Sequence, residues 1–289
     1  NIMKVLSGKD GVLNHDLLTK EEMNEAPLPY YDKYIYDKYF DGNPIPMNKL
    51  YPQAHIWSSR GCPFKCIFCV WPAAMTGNDP HGDGKRAVRQ YTPEYIDNLV
   101  RELTGRYKFE AIYFDDDTFN IGNKHTEKMS EVMSKFKIPW FAMCRADTSK
   151  KETWKTMSDG GCQGVKLGVE SGSQVVVDKI VNKHLDLKYV QEVVSYIRSL
   201  DMSVHGTFTY GLPGETKNDM IKTKKFIKET NFSTVQESGT AEIEGTPLHA
   251  LINEEKLTTY PGAIADENYD RQKDGGKKWQ SLVKELQNN

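Results

Sequence analysis

The chain has 289 residues, a formal net charge of −2 and 38% hydrophobic residues, which is enough apolar material for one large domain with a buried core. Its basic residues are scattered, so nucleic acid is not an expected partner, and no apolar run is long enough to span a bilayer. The five cysteines are few and odd in number, and no secretory segment is recognisable. This pattern argues against a disulfide framework and predicts a reducing, cytoplasmic location.

Residues 1–50 show little periodicity and combine four prolines with six closely spaced aromatic residues between positions 27 and 46. This composition predicts an extended N-terminal arm or linker rather than a separate domain. Two interpretations stay open: an arm packed against the following domain, or a segment that contacts a second, upstream domain. The first residue is Asn1 rather than Met, as would be expected of a fragment of a longer protein.

Between residues 51 and 250, short apolar strands alternate with amphipathic helices, which is typical of parallel βα units. Strands are predicted at residues 55–58, 111–114, 140–143, 164–169, 204–210 and 233–237. The first helix is predicted to begin after Thr92, with Pro93 in its first turn, and to end at Gly105. Two helices are predicted between the fourth and fifth strands, and one helix in each of the other gaps.

Six βα units are fewer than a closed eight-fold barrel needs. The sequence therefore predicts an α/β fold, a partial (β/α)6 TIM-like barrel that is open on one side. Residues 251–289 are polar, and we expect a peripheral C-terminal segment with one short helix near residues 279–286.

Three of the five cysteines, Cys62, Cys66 and Cys69, lie within eight positions. Three thiolates so close can ligate one [4Fe-4S] cluster, which usually takes four, and so leave one iron open to a reactive ligand. A structural zinc site would need a fourth Cys or His nearby, and the next candidate, His81, lies twelve residues beyond Cys69. The two remaining cysteines, Cys144 and Cys162, are expected to be buried apolar residues.

Polar residues follow several of the predicted strands. Ligands of parallel βα folds collect at the C-terminal ends of the strands, so these residues are expected to share one site. They are Asp115, Asp116 and Asp117 after the second strand, Arg145 after the third, Glu170 and Ser171 after the fourth, and Gly211 and Gly214 after the fifth.

The cysteine loop, the GVESGS segment at residues 168–173 and the GLPGE segment at residues 211–215 occur in an order that resembles the radical S-adenosylmethionine (SAM) superfamily. The resemblance covers roughly residues 55–250. It implies that Cys62, Cys66 and Cys69 ligate the cluster and that SAM chelates the open iron. A reductant such as flavodoxin or ferredoxin would then drive cleavage of SAM to a 5′-deoxyadenosyl radical, which abstracts hydrogen from a small-molecule substrate.

The same resemblance implies individual contacts to SAM. Phe68 would lie against the adenine, although a core aromatic is an alternative role. The three aspartates would accept a hydrogen bond from the amino group, unless they are ordinary turn residues. Glu170 would hold the ribose hydroxyls. Arg145 would clamp the carboxylate of SAM, or form an ion pair within the protein. Gly211 and Gly214 would let the backbone approach the adenine. Ser171 completes this cofactor-binding set.

Within the superfamily, the motifs are most similar to proteins that carry a cobalamin-binding domain upstream, many of which methylate or rearrange unactivated carbon. The chain has no recognisable cobalamin domain, so use of cobalamin is a hypothesis by analogy. Methylthiotransferases share similar motifs but have three further cysteines upstream, and none precedes Cys62. A non-catalytic iron-sulfur redox or sensor protein would need neither Glu170 nor the 211–215 segment.

The substrate is not identified by any residue of the sequence. Five polar residues near the later strands could line a pocket or fill the barrel: His205, Thr207, Thr209, Gln236 and Glu242.

Overall fold

The computed structural model describes residues 17–31, 52–70 and 87–253. Its strands are β1 (Gln53–Ile56), β2 (Ser59–Arg60), β3 (Arg89–Gln90), β4 (Ala111–Phe114), β5 (Trp140–Cys144), β6 (Cys162–Glu170), β7 (Ser203–Tyr210) and β8 (Thr234–Gly239). Six of them form one parallel sheet in the order β1-β4-β5-β6-β7-β8, and β2 and β3 form a separate antiparallel ribbon. The outermost strands β1 and β8 do not pair with each other, so the predicted partial barrel, open on one side, is confirmed.

The helices are α1 (Lys20–Glu25), α2 (Pro93–Gly105), α3 (Asn123–Ser134), α4 (Lys151–Asp159), α5 (Leu187–Ser199), α6 (Lys217–Glu229) and α7 (Pro247–Asn253). A π-helical turn, Val176–Ile180, lies between β6 and α5. The Thr92 side chain accepts a hydrogen bond from the Tyr95 amide, which explains the start of α2. No helix among the described residues is long and apolar enough to cross a membrane.

The two faces of the sheet carry different side chains because strand residues alternate. On β6, Val165, Leu167 and Val169 are buried in the core between the sheet and the helices. Lys166 and Gly168 therefore face the other side, which is the lumen of the partial barrel. The predicted site lies where this lumen reaches the C-terminal ends of the strands.

The described part of the N-terminal arm packs on the barrel. Tyr31 contacts the rings of Tyr107 and Phe109, with ring centres 5.5 and 5.6 Å apart. The arm also contains α1, which the sequence analysis did not predict, although Thr19 and Glu22 form a capping box at its start. The packed interpretation of the arm thus holds for residues 17–31, and contact with a second domain stays a prediction.

The boundaries of the first strand differ from the prediction. It ends at Ile56 because Ser58 turns to bind Asp116 and the chain enters the β2–β3 ribbon, which the sequence analysis missed. The helix expected near residues 279–286 and most of the C-terminal segment lie outside the described residues. The division at residues 50 and 250 stays a prediction.

Candidate functional site

The cysteine loop is anchored by contacts from distant parts of the chain. The Ile67 amide donates to the Val181 carbonyl (3.1 Å), and the Leu248 amide donates to the Ile67 carbonyl (2.8 Å). The Asn182 side chain donates to the Lys65 carbonyl (3.1 Å). Three backbone groups, which belong to Lys65 and Ile67 between the cysteines, are thereby fixed before any ligand binds.

Gly61 permits the turn that starts the loop. Its φ is +95°, and a Cβ at this position would lie 2.2 Å from the carbonyl oxygen of Ala87. A side chain is therefore excluded by both backbone strain and steric overlap. The structure explains why a glycine directly precedes Cys62.

Asp116 joins the end of β4 to the start of the cysteine loop. Its carboxylate accepts from the Ser58 amide (3.0 Å), the Ser58 hydroxyl (2.8 Å) and the Ser59 hydroxyl (2.6 Å). Burial raises the pKa of Asp116 to about 6, although these hydrogen bonds oppose the rise. Asp116 therefore uses its carboxylate to hold the start of the cysteine loop.

His125 extends this network. Its Nε2 lies 3.2 Å from the Ser58 hydroxyl, which already donates its only proton to Asp116. The Nε2 atom must therefore be the donor. Burial lowers the pKa of His125 to about 4, so the imidazole is neutral at physiological pH.

The other two aspartates lie on either side of Asp116. Asp117 accepts from the Gly61 amide (2.7 Å), and burial raises its pKa. Asp115 lies 3.8 Å from His55, and its side chain is 44% exposed. The three aspartates are thus not equivalent, and Asp115 has the most accessible carboxylate.

Glu170 forms a buried ion pair that the sequence analysis did not foresee. Lys183 Nζ lies 2.9 Å from Glu170 Oε1, and both side chains are 10% exposed. The Thr209 hydroxyl donates to the other oxygen at 3.3 Å. Burial lowers the pKa of Lys183, but Glu170 and Cys66 outweigh it, so the net shift is upward and the ammonium stays charged.

Unusual backbone conformations surround this pair. Glu170 itself has φ of +76°, and the pairing of β6 with β7 shifts register between Gly168 and Glu170. Asn182 and His184, on either side of Lys183, have φ of +58° and +51°. Left-handed conformations cost energy for residues other than glycine and cluster at functional sites. Here they direct a glutamate and a lysine towards each other.

Arg145 is held from three sides. It forms a bidentate ion pair with Asp147 (2.6 and 3.0 Å), and its Nη2 donates to the Lys183 carbonyl (2.5 Å). The guanidinium also stacks 3.7 Å from the centre of the Phe64 ring. The ion pair that the sequence left open as an alternative is therefore formed. A contact from Arg145 to SAM stays a prediction.

These groups converge on one cavity of about 220 Å³ at the C-terminal ends of the strands. Its lining includes nine of the residues predicted for the site: Cys62, Cys66, Phe68, Cys69, Asp115, Asp116, Asp117, Arg145 and Glu170. Phe68 also packs on the small apolar cluster around Ile67, so it can serve both of its predicted roles. The cysteine loop, which follows β1 and β2, thus meets residues at the C-terminal ends of β4, β5 and β6, as parallel topology predicts.

Three predicted residues do not line this cavity. Ser171 is buried, and its hydroxyl lies 3.0 Å from that of Thr223. Gly211 and Gly214 have φ of +75° and +86°, and the Gly211 amide donates to Glu215 Oε2 (2.7 Å). All three belong to packed turns beside the site, and their contacts to SAM stay predictions.

The donor set fits an iron-sulfur cluster better than a single metal ion. Among the described residues, no three His, Cys, Asp or Glu side chains are close enough to hold one ion. A cubane cluster binds its three thiolates through three different irons, so they need not meet at one point. The three cysteines are partly exposed and line the same cavity, and Lys183 and Arg145 favour the Cys66 thiolate even though burial raises its pKa.

The other two cysteines are buried, as predicted, and each is 3% exposed. Burial raises the pKa of Cys162 to about 12 and that of Cys144 well above its ordinary value. Such thiols are inert at neutral pH. Cys144 borders the cavity from β5 but lies outside the three-cysteine loop.

Lys183 is the main residue that sequence reasoning missed. It follows the π-helical turn and has no motif of its own, and a lysine between two helices usually lies on the surface. The π-helical turn is a recognised marker of functional sites, but a sequence pattern does not reveal it.

Comparison with known proteins supports this site. The family model for the Radical SAM superfamily matches residues 58–227. The uncharacterized methyltransferase PH0819 of Pyrococcus horikoshii is 29% identical over an alignment of 243 residues, and the match covers 82% of this chain and 49% of that protein. Cytidylyl-2-hydroxyethylphosphonate methyltransferase of Streptomyces wedmorensis is 26% identical over an alignment of 242 residues, and the match covers 78% of this chain and 43% of that protein.

A solved structure supports the fold. The radical SAM methyltransferase TsrM from Kitasatospora setae, determined with cobalamin and a [4Fe-4S] cluster bound, matches with a TM-score of 0.61 and 16% identity. The match covers 73% of this chain and 41% of that protein. The chain spans about half the length of the curated relatives it matches. Since the family model covers more than half of the chain and includes the cysteine loop and Glu170, the chain belongs to the radical SAM superfamily.

Proposed function

We propose that this chain binds a [4Fe-4S] cluster and cleaves SAM reductively to start radical chemistry on a small-molecule substrate. The observation that carries the proposal is the convergence of three thiols, the Glu170–Lys183 pair and Asp115 on one cavity. A simple redox protein would not need a buried glutamate in a strained backbone conformation, paired with a buried lysine, beside its cluster loop.

Each group has a defined role in binding. Cys62, Cys66 and Cys69 hold the cluster, and Lys183 and Arg145 offset the negative charge of its thiolates. Together the bound cluster and SAM supply an electron and a precursor of a carbon radical. The cysteine loop, fixed by Val181 and Leu248, would keep the three thiols that hold the cluster at the edge of the cavity.

The two charged ends of SAM need different partners. Asp116 is committed to Ser58 and Ser59, so we assign the amino group to Asp115 or Asp117. The carboxylate of SAM requires a cation, and Lys183 borders the same cavity. Glu170 Oε2 accepts one long hydrogen bond, from the Thr209 hydroxyl at 3.3 Å, so it can also accept a hydrogen bond from a ribose hydroxyl.

Methylation is the reaction class that the relatives favour. Two carry the name methyltransferase, and TsrM was solved with cobalamin bound. We therefore propose methyl transfer assisted by cobalamin, held by a domain outside the described residues. A methylthiotransferase activity is the second candidate, although no cysteine precedes Cys62. The electron would come from a flavodoxin or ferredoxin, in a reducing cytoplasm.

The central test is anaerobic reconstitution of the chain with iron and sulfide, followed by SAM and dithionite. We expect 5′-deoxyadenosine and methionine in equal amounts. A variant in which Cys62, Cys66 and Cys69 are all alanine should produce neither. A fully reconstituted chain that neither binds nor cleaves SAM would contradict the proposal.

The cobalamin proposal needs its own test. Hydroxocobalamin and SAM with a deuterated methyl group are added to the reduced protein, and labelled methylcobalamin is sought by mass spectrometry. Its appearance would support methyl transfer. Cleavage of SAM without any labelled methylcobalamin, in the full-length gene product, would limit the function to hydrogen abstraction.

A further inference from the structure

The lumen face of β6 and β7 carries a cation directly below the SAM cavity. Lys166 and His205 are neighbours in the register of these strands, and Gly168 and Thr207 form the next lumen-facing pair. Gly168 and Thr207 line the cavity. Two residues of a parallel strand span about 6.6 Å, so Lys166 lies one layer beneath this pair, beside Met143 of β5, which lines the floor of the cavity.

Lys166 has no anionic partner in the part of the chain that the structure describes. Among the described residues it makes neither an ion pair nor a hydrogen bond, although its side chain is partly buried. The two other lysines at the sheet, Lys183 and Lys224, each pair with a glutamate, Glu170 and Glu237. A lumen-facing ammonium without a counter-charge is available to an anionic ligand.

His205 beside it also has an unused polar atom. The imidazole is 1% exposed, and its Nδ1 lies 2.8 Å from the Thr234 hydroxyl. Its Nε2 is buried without a hydrogen-bond partner among the described residues. Burial and the Lys166 ammonium together lower the pKa of His205 to about 4, although Gln236 opposes the shift, so the ring is neutral and adds a polar group without charge.

The rest of this wall is neutral. Thr207, Gln236 and Ser238 alternate with the outward-facing residues of β7 and β8, and Gln236 is exposed to the lumen. Below Glu170, none of the described residues that face the lumen from β5 to β8 is acidic. The one glutamate of β8, Glu237, faces outward and contacts Lys224 and Tyr210. On the other side of the lumen, Tyr113 of β4 and Phe141 of β5 form a small buried aromatic cluster, and His55 of β1 lies beside Tyr113.

We propose that Lys166, supported by His205 and Gln236, binds an anionic group of the substrate, a phosphate or a carboxylate. The inference rests on the proposed function, since it places the substrate in the lumen beneath SAM. The anionic group would be held one layer below the cavity, and the remainder of the substrate would extend past Met143 towards the radical. The aromatic wall would contact its apolar part.

The test uses isothermal titration calorimetry of the reconstituted chain with inorganic phosphate and, separately, with acetate at constant ionic strength. We expect one of the two anions to bind at a single site. Lys166→Met should weaken its affinity at least tenfold. Gln236→Glu should do the same, because an added carboxylate competes for the lysine, and Lys188→Met on the exposed face of α5 should have no effect.

The two anions distinguish the sources of the charge: preference for phosphate indicates a phosphorylated substrate, and preference for acetate a carboxylic acid. No binding of either anion, or equal binding by the wild type and both lumen variants, would overturn the proposal.

Production of 5′-deoxyadenosine separates this inference from the proposed function. Lys166→Met should still cleave SAM with dithionite, because Lys166 lies outside the SAM cavity. If the wild type binds the anion through Lys166 but never cleaves SAM, the proposed function fails and the anion site stands. If SAM is cleaved but no anion binds, only the substrate inference fails.

Discussion

Lys183 donates to Glu170 across 2.9 Å, and this contact joins the end of β6 to the strained segment that follows the π-helical turn. The same segment holds the cysteine loop through Val181 and Asn182. The ion pair therefore connects the expected ribose-binding carboxylate with the scaffold of the cluster. Its removal should affect stability, the cluster and SAM together.

Lys183→Met should destabilise the chain by about 3 kcal/mol, because it leaves the Glu170 carboxylate buried and unpaired. Affinity for SAM, measured by equilibrium dialysis of the reconstituted protein, should fall at least tenfold. Lys183→Arg should recover part of both losses, and Lys188→Met should cause neither. Unchanged affinity in Lys183→Met would show that the ammonium is structural only.

The cysteines should divide sharply into ligands and core residues. Cys62→Ser, Cys66→Ser and Cys69→Ser should each reduce the iron content from about four atoms per chain and abolish the charge-transfer absorbance of the cluster. Cys162→Ala should retain both, because that thiol is buried far from the loop's thiols in β6. Full iron content in any one of the three serine variants would exclude that cysteine as a ligand.

Asp116→Ala should destabilise the fold, since three donors on Ser58 and Ser59 lose their acceptor in a buried site. We expect a loss of about 2–4 kcal/mol in denaturant unfolding and faster release of iron to a chelator. Asp115→Ala removes a half-exposed carboxylate and should change stability by less than about 1 kcal/mol. Equal effects from the two variants would contradict the separate roles assigned here.

Glu215 should make stability depend on pH. Burial raises its pKa to about 8, while its Oε2 accepts from the amides of Gly211 and Leu212 and its Oε1 has no partner among the described residues. The folded chain then binds more protons than the unfolded chain between about pH 4.5 and pH 8. The stabilising contribution of Glu215 to the free energy of unfolding is therefore fully present below pH 4.5 and is lost as pH rises through 8.

The measurement compares the free energy of unfolding of the wild type with that of Glu215→Gln from pH 5 to pH 8.5. The difference should change by on the order of 3 kcal/mol over this range, with the variant gaining relative stability at high pH. Glu229→Gln, at an exposed position at the end of α6, should follow the wild type. Parallel curves for the wild type and Glu215→Gln would mean that Glu215 titrates normally.

Much of the barrel was predictable because its helix-capping residues and its apolar runs indicate the same helices and strands that the structure contains. Thr92 and Pro93 mark the start of α2, and the apolar run at residues 111–114 matches β4 at both ends. The elements that were missed are short: the β2–β3 ribbon has two residues in each strand, α1 has six residues and α7 has seven. Such elements are stabilised by tertiary contacts rather than by their own periodicity.

The sequence by itself determined the class of the protein, because the spacing of Cys62, Cys66 and Cys69 and the order of the strand-end motifs depend only on chain position. The tertiary structure decided how the three adjacent aspartates differ: Asp116 binds Ser58 and Ser59, Asp117 binds Gly61, and Asp115 is left open to the cavity. It also decided that Lys183 faces Glu170 and that Lys166 faces the lumen with no counter-charge among residues 17–31, 52–70 and 87–253. Pairing of side chains distant in sequence follows from strand register and buried charge, and neither can be read from a linear motif.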